Sequence, residues 1–194
     1  RAADAPPQIR AALPSDAWNL TSENGTDLSD DSIFFDAGDI EPVAGSEMSA
    51  LIENSLYTLI ADGLMPISLG GDHSITYPIV RAFARKYNNL SILHFDAHPD
   101  IYDNYQGNRN SHASPFARIM EQKLVKRLVQ VGIRTFTADQ REQVRKFAVE
   151  SIEMRNVTAD LQLEFDSPVY ISFDVDALDP AFAPGVSHRE PGGL

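Results

Sequence analysis

Two aspartates stand two residues apart where an apolar run ends, in the stretch Phe173-Asp174-Val175-Asp176. Side chains two apart in a strand point to the same face, so Asp174 and Asp176 would bring two negative charges together. A cation between the two carboxylates would relieve their repulsion. The spacing therefore indicates a metal site.

Two other motifs offer further ligands for such a site. Asp96, His98 and Asp100 alternate at the same period of two, and His73 follows a Gly-Gly-Asp turn. The chain contains no cysteine, so nitrogen and oxygen must hold any metal. Mixed carboxylate and imidazole ligands suit Mn²⁺, with Fe²⁺, Co²⁺, Ni²⁺ and Zn²⁺ as chemical competitors. The candidate metal ligands are His73, Asp96, His98, Asp100, Asp174 and Asp176.

The charge of these ligands predicts how many ions they hold. Four of them are aspartates, with a formal charge of −4. One divalent ion would leave the site strongly negative, whereas two ions would neutralise it. A hydroxide bridging the ions is then reasonable, because bound metal ions lower the pKa of water to about 7. We therefore expect two metal ions and a filled site that attracts a cationic electrophile.

The elements that must position these ligands follow from the hydrophobic pattern, in which apolar runs alternate with segments of helical period. That alternation is typical of an α/β domain with a parallel sheet. The predicted strands are Ile33–Asp36, Met65–Leu69, Ile92–Asp96, Leu128–Ile133 and Val169–Asp174, with a weaker one at Ser151–Met154. The predicted helices cover residues 1–14, a stretch capped by Ser46 and ended by Gly63, Ser74–Tyr87, a stretch beginning near Ser114, and Ala138–Val149. Ligands bind beyond the carboxyl ends of strands in such sheets, so the three motifs should converge on one edge.

Composition sets the outer limits. At 194 residues with 43% hydrophobic content, the chain fits one catalytic domain over residues 1–194. Both ends look cut, so we expect a domain that is incomplete at both ends and lacks its C-terminal strands. The net charge of −12 argues against a nucleic-acid partner, and no apolar run reaches the length of a membrane span. We expect a soluble intracellular protein.

The motifs together resemble the ureohydrolases, the family that includes arginase and agmatinase. The resemblance lies in Gly70–Ser74, Phe95–Asp100 and Ser172–Gly185, and it is closest to plant-type arginases in Asp100–Asp103, Asn110–Ser114 and Pro184–Gly193. It implies a three-layer αβα fold with a mostly parallel central sheet. It also implies a hydrolase with two Mn²⁺ per subunit that releases urea from a guanidino group.

The resemblance also implies a role for each ligand. It assigns His73 and Asp100 to one manganese, His98 and Asp176 to the other, and Asp96 and Asp174 to both as bridges. Asp100 would also hold the attacking hydroxide by a hydrogen bond. His112 matches a loop histidine that shuttles a proton to the leaving amine, a task that suits imidazole. Asn110 and His188 match positions that contact the amino-acid end of the substrate.

Several alternatives stay open. Arginine, cleaved to urea and ornithine, is the preferred substrate, and agmatine, cleaved to putrescine and urea, or another guanidino acid is the alternative. Tyr102 stands where animal-type arginases have an asparagine that holds the substrate carboxylate. A metal-binding pseudoenzyme or an inactive fragment is the non-enzyme alternative, while the carboxylate count and the pair His73 and Asp96 disfavour a related one-zinc deacetylase.

The resemblance carries two further expectations. It suggests a homo-trimer or homo-hexamer, located in mitochondria if the protein is of plant type and otherwise in the cytoplasm. A third expectation comes from strand alternation rather than resemblance. His94 shares the face of Asp96, and we expect it to pack behind the metal site or to support it.

Overall fold

Four parallel strands form the central sheet of a computed structural model that describes residues 2–15, 19–30, 33–41, 43 and 47–194. The strands are β1 (Ser91–Phe95), β2 (Arg127–Ile133), β3 (Glu150–Glu153) and β4 (Val169–Phe173). Their order in the sheet is β3-β2-β1-β4, and all three pairings are parallel. The predicted α/β class with a parallel sheet is confirmed.

Among the described residues, five α-helices accompany these strands. They are α1 (Ala5–Ala12), α2 (Glu47–Ala61), α3 (Thr76–Ala84), α4 (Pro115–Glu121) and α5 (Ala138–Lys146). Helix α2 repeats apolar side chains every four residues at Ile52, Leu56 and Ile60, and this stripe packs with Ile79 and Ala82 of α3. None of the described helices has both the length and the apolar character needed to cross a membrane.

The main core joins the helices to the sheet. Val80 of α3 and Phe116 of α4 are fully buried in one cluster with Leu90, Ile92 and Leu128. Burying one such side chain contributes about 1.5–3 kcal/mol. The two central strands therefore stand on a well-packed base, which keeps the loops at their carboxyl ends in place.

Local signals explain where two helices begin. Helix α4 follows Ser114 and has Pro115 in its first turn, where a missing N–H costs nothing. Helix α5 opens with a capping box, in which the Thr137 side chain accepts from the Gln140 N–H and the Gln140 side chain accepts from the Thr137 N–H. Both predicted helices are found, although α5 is shorter than the predicted range.

Strand β2 carries an irregularity beside the ligand loops. Its pairing with β3 shifts register between Val131 and Ile133, and Gly132 between them has a φ of +94°. Residues with a Cβ rarely adopt this conformation. A Cβ at Gly132 would also lie 3.3 Å from the backbone oxygen of Asp96. This glycine therefore permits a close approach of β2 to the first ligand loop, which is the segment of residues 96–100 after β1.

Two predicted strands are wrong. The structure assigns no strand to Ile33–Asp36 or to Met65–Leu69. Met65 is 89% exposed and Ile67 is 75% exposed, and a strand forms only where a neighbour pairs with its backbone. Strand β4 lies at the edge of the sheet, and its Ile171 is likewise 61% exposed.

The remaining predicted elements are found close to their expected ranges. The strands predicted at Ile92–Asp96, Leu128–Ile133, Ser151–Met154 and Val169–Asp174 correspond to β1, β2, β3 and β4. The N-cap predicted at Ser46 lies outside the described residues, and α2 is seen from Glu47. His73 belongs to a short 3₁₀ turn, His73–Ile75, that leads directly into α3.

Candidate metal centre

Neighbouring strands bring the two aspartate motifs together. Phe95 ends β1 and Phe173 ends β4, and these two residues are partners in the parallel pairing. The backbone N–H of Asp174 donates to the Phe95 carbonyl at 2.9 Å, and that of Asp96 donates to the Val131 carbonyl at 3.2 Å. Both aspartates therefore lie at the carboxyl edge of the sheet, as the sequence predicted.

Each motif then turns in the same way. The Asp96 carboxylate accepts from the backbone N–H of His98 at 2.7 Å, and the Asp174 carboxylate accepts from that of Asp176 at 3.0 Å. Asp176 in turn accepts from the Ala97 N–H at 3.1 Å. These aspartate turns explain the period of two, because the first carboxylate of each motif folds the chain and aims the second ligand back at the site.

One group of ligands surrounds the Nδ1 atom of His73. Carboxylate oxygens lie at 2.9 Å for Asp100, 3.2 Å for Asp96 and 3.7 Å for Asp174. Ligand atoms that each stand about 2.0–2.2 Å from a common divalent ion are separated by about 3 Å. The spacing around His73 is thus that of a first coordination sphere.

A second group surrounds the Nδ1 atom of His98. The Asp176 carboxylate lies at 3.1 Å and the other oxygen of Asp96 lies at 3.5 Å. Asp96 therefore directs one oxygen to each histidine, which is the arrangement of a bridging ligand. Two overlapping clusters among the described residues could hold a metal ion, one of His73, His94 and Asp96 and one of Asp96, His98 and Asp176.

The two histidines are strongly perturbed by these carboxylates. Burial lowers the pKa of His98, but its hydrogen bonds to Asp176 and Asp96 outweigh that effect and raise the pKa to about 10. Burial likewise opposes protonation of His73, yet Asp100 and Asp96 raise its pKa well above the ordinary value. Carboxylates at this density stabilise positive charge of any kind, whether protons or metal ions.

The pKa values of Asp96 and Asp174, the two carboxylates that are predicted to bridge the ions, shift in opposite directions. Burial raises the pKa of Asp96, but contacts with His73, His94 and His98 hold it well below its usual range. The pKa of Asp174 is raised, first by burial and then by the charges of Asp96 and Asp176. A neighbouring cation would therefore stabilise the charged form of Asp174, which its surroundings disfavour.

Asp100 combines ligand spacing with an unusual backbone. Its φ is +41°, in the left-handed region that aspartate visits more readily than most residues with a Cβ. Its carbonyl accepts from the Phe116 N–H at the start of α4, at 3.2 Å. The left-handed turn directs the carboxylate toward His73, while the carbonyl of the same residue faces the start of α4.

The other predicted site residues divide into two sets. His112 and His188 line an open cleft of about 2170 Å³ that also contains His73, Asp100 and Asp174. The His188 ring lies 5.5 Å from that of His98. Asn110 is exposed and does not line this cleft, and its role as a substrate contact stays a prediction.

Sequence reasoning missed four residues that touch the site. The Ser172 hydroxyl lies 2.9 Å from His73 Nε2, and a Glu190 carboxylate oxygen lies 3.6 Å from His98 Nε2. Arg134 contacts the loop that carries Asp176, at 2.6 Å from its carbonyl. The fourth residue is Gln130, whose amide nitrogen lies 3.1 Å from Nδ1 of His94. Ser172 could have been found from its place two residues before Asp174, on the same face of β4.

The chain is similar to arginases along its whole length. The Arginase family model matches residues 1–194. A mitochondrial arginase of Medicago truncatula is 48% identical over 98% of this chain and 61% of its own length. The chain therefore spans less than two thirds of that relative.

Solved structures agree with this similarity. Arginase from Medicago truncatula has a TM-score of 0.89 at 48% identity, covering 98% of this chain and 65% of the solved one. Agmatine ureohydrolase of Thermoplasma volcanium has a TM-score of 0.86 at 32% identity, covering 98% of this chain and 66% of that structure. The fold, the motifs and the sequence match over all 194 residues agree, and the chain belongs to the arginase family.

Proposed function

We propose that this chain is part of a hydrolase that uses two Mn²⁺ ions to split the guanidino group of arginine into urea and ornithine. The observation that carries the proposal is Asp96, whose two carboxylate oxygens face two separate histidine clusters at 3.2 and 3.5 Å. A carboxylate that faces two clusters can bridge two cations.

The donor set fits manganese. The six proposed ligands offer only carboxylate oxygen and imidazole nitrogen, and such a set binds Mn²⁺ without favouring the softer metals that thiolates select. Four carboxylates balance two divalent charges. We propose that His73 and Asp100 hold one ion, that His98 and Asp176 hold the other, and that Asp96 and Asp174 bridge them.

Two bound ions would supply a water molecule that is nucleophilic near neutral pH. The chain's own residues would do the rest. Asp100 accepts a hydrogen bond from the nucleophile and so orients it. His112, which lines the same cleft, delivers a proton to the leaving amine. His188 and Asn110 contact the far end of the substrate and fix its position relative to the ions.

The preference for arginine rests on the relatives. The Medicago protein of 48% identity is an arginase. Agmatine is the second candidate, since a structural neighbour at 32% identity is an agmatine ureohydrolase. Tyr102 and Tyr105 line the cleft with rings 5.3 Å apart, and an aromatic wall suits the aliphatic or cationic part of either substrate.

The test is a urea-release assay on arginine, agmatine and 4-guanidinobutyrate, with the manganese content of the same samples measured. The assay should be run on this chain and on a longer form that matches the relatives in length, because a pseudoenzyme or inactive fragment would bind metal without turnover. We expect Mn²⁺-dependent urea release with arginine preferred. Turnover without metal, or one tightly bound ion per chain, would contradict the two-metal proposal.

A matched control separates the site from general charge loss. Asp174→Asn removes a proposed bridge, whereas Asp166→Asn removes an exposed carboxylate that pairs with Lys126 at the surface. We expect the first change to abolish urea release and the second to leave it unchanged. Light scattering on the same samples tests the proposed trimer or hexamer, and fractionation of source cells tests the proposed mitochondrial location.

A further inference from the structure

His94 lies directly behind the bridging carboxylate. The ring is fully buried, and its Nε2 atom lies 2.8 Å from the Asp96 Oδ2 atom. We propose that His94 is a positioning residue, held by Gln130 as a neutral imidazole whose Nε2–H donates to Asp96. This inference rests on the proposed metal site, and it assigns His94 and Gln130 a part in building that site.

The orientation of Gln130 follows from its neighbours. Its amide nitrogen lies 2.7 Å from the Pro99 carbonyl oxygen and 3.1 Å from His94 Nδ1. A carbonyl oxygen can only accept, so the side of the amide that faces Pro99 must be the NH₂ group. The second N–H of that group then faces His94 Nδ1.

The tautomer of His94 follows in turn. Because a donor faces Nδ1, that nitrogen must present its lone pair, and the ring proton must sit on Nε2. Nε2 points at Asp96, so the hydrogen bond runs from His94 to the carboxylate. A nitrogen that carries a proton cannot bind a metal, so His94 is a donor to a ligand and is not itself a ligand.

The same network fixes both ends of the first ligand loop. Gln130 and His94 are register partners on adjacent strands, so their side chains lie side by side on one face of the sheet. Through His94, Gln130 orients the Asp96 carboxylate. Through the Pro99 carbonyl, it also holds the backbone between His98 and Asp100. One side chain on β2 thus positions three proposed ligands.

This network leaves one polar atom of Gln130 without a partner. Its amide oxygen is buried and has no hydrogen-bond partner among the described residues. An apolar residue of the same shape would avoid that loss. A role in orienting His94 and Pro99 accounts for a glutamine among the buried residues of strand β2.

The ring of His94 is also fixed by packing. Phe116 lies at a centroid distance of 4.1 Å and His73 at 5.0 Å. These contacts prevent the ring from rotating away from Asp96. Donation from His94 still leaves the second lone pair of the Asp96 oxygen free to face an ion.

The direct test is nitrogen NMR of the imidazole groups in this chain, with and without Zn²⁺ as a diamagnetic ion. We expect the Nε2-protonated tautomer of His94 in both samples, while Zn²⁺ shifts the ring nitrogens of His73 and His98. A proton on Nδ1 of His94, or a Zn²⁺-induced shift of its Nε2 nitrogen, would overturn the inference. If His73 and His98 fail to respond, the metal site itself is contradicted while the tautomer remains readable.

Calorimetric titration with Mn²⁺ tests the consequence for binding. His94→Phe and Gln130→Met remove the two donors, and we expect each to weaken Mn²⁺ binding by about 10–100-fold, the usual effect of losing a group that supports a ligand. His94→Gln keeps an N–H near the Nε2 position and should restore binding. Loss of a whole ion in His94→Gln, or unchanged affinity in His94→Phe, would sink the proposal.

Gln143→Met is the matched control for Gln130→Met. Gln143 also has a buried amide oxygen without a partner among the described residues, but it lies on α5 and not on a strand beside His94. We expect this control to leave Mn²⁺ affinity unchanged. Thermal unfolding of every variant shows whether a change in affinity comes from the site or from loss of the fold.

Discussion

Arg134 donates from Nη2 to the backbone carbonyl of Asp176 at 2.6 Å. The same guanidinium also contacts four other carbonyl oxygens, at 2.8–3.4 Å, which belong to Gly132, Ala177, Leu178 and Glu190. It therefore joins the end of β2 to the turn that carries Asp176 and to the segment that carries Glu190. Arginine suits this task because its planar fork offers five N–H donors in fixed directions.

Replacing Arg134 should loosen the proposed ligand Asp176 without touching it. Arg134→Gln leaves several carbonyls without a donor, and we expect a loss of about 1–3 kcal/mol in the free energy of unfolding. Mn²⁺ binding should weaken as well, because the Asp176 turn becomes mobile. The measurements are urea denaturation and Mn²⁺ calorimetry. Arg155→Gln, at a 75% exposed side chain, is the control, and equal effects of the two changes would contradict the assignment.

The two clusters around Asp96 should respond differently to mutation. His98→Ala removes the only proposed nitrogen ligand of one cluster, so we expect one Mn²⁺ ion per chain in place of two. Asp174→Asn removes a bridge, so both ions should bind more weakly. In a form that turns over, either change should lower the activity by more than the roughly 10–100-fold that follows the loss of a group supporting a ligand.

Metal analysis and circular dichroism of the two variants check this prediction. Both should keep the helical and strand signals, since neither side chain belongs to the core clusters. A His98→Ala chain that still binds two ions with unchanged affinity would contradict the division of ligands.

Binding of metal should release protons. In metal-free protein at pH 8, the His98 pKa of about 10 keeps that ring protonated, and the raised His73 pKa acts in the same direction. Each metal ion must displace the proton of one of these histidines, so affinity for Mn²⁺ should rise with pH. Calorimetry in buffers of different ionisation enthalpy should count about two released protons per filled site from the histidines. Release of none at pH 8 would contradict it.

The same histidines set the stability of the metal-free chain. A His98 pKa that folding raises from 6.5 to about 10 adds stability that is fully present below pH 6.5 and is lost as pH rises through 10. We therefore expect the denaturant concentration at the unfolding midpoint of the metal-free protein to decrease as the pH is raised from neutral to about 10. His98→Ala should flatten this dependence.

The sequence predicted that the candidate ligands would lie together, because each stands at a place that simple rules define. Asp96 and Asp174 follow strands that can be read from apolar runs, and the carboxyl ends of parallel strands share an edge. His98 and Asp176 lie beyond the ends of β1 and β4, so the aspartate turns, and not the strand alternation that the sequence suggested, bring them to the site. The ligands are therefore encoded locally, and only the neighbourhood of β1 and β4 had to be inferred.

Strand alternation predicted a supporting place for His94, but the partners of the supporting residues could not be predicted in the same way. His94 and Gln130 become neighbours only through the register of β1 against β2, across 36 residues of chain. Arg134 binds backbone carbonyls, which every residue possesses, so no partner is marked in the sequence. Met65–Leu69 shows the reverse error, because its apolar pattern suits a strand but no described neighbour pairs with it.

His112 should act on turnover and leave binding of the substrate largely intact. Its exposed ring lies 5.6 Å from that of Tyr105 at the cleft wall, where a proton carrier has access to solvent. In a form that turns over, His112→Asn should lower kcat by roughly 10²–10⁴, the usual contribution of general acid–base catalysis. KM should change little. Steady-state kinetics with added imidazole measure this, and recovery of kcat by imidazole distinguishes proton transfer from a structural role.

His188→Asn is the contrasting change. His188 lies beside His98, and its proposed contact is with the far end of the substrate. We expect a rise in KM with a smaller effect on kcat. If His112→Asn instead raised KM and left kcat unchanged, the proton-shuttle assignment would be wrong.

Gly193 should prove indispensable for a steric reason. A Cβ at this position would lie 2.5 Å from the Asp179 nitrogen and 2.6 Å from the Ala177 oxygen, both of them backbone atoms that cannot yield cheaply. Gly193→Ala should therefore displace the turn after Asp176 and cost about 1–3 kcal/mol in the free energy of unfolding. Gly185→Ala is the matched control, because open space surrounds a Cβ there. It should be neutral or stabilising by up to about 1 kcal/mol. Equal denaturation midpoints for the two variants would show that the turn tolerates a side chain at Gly193, and that its packing does not hold Asp176 in place.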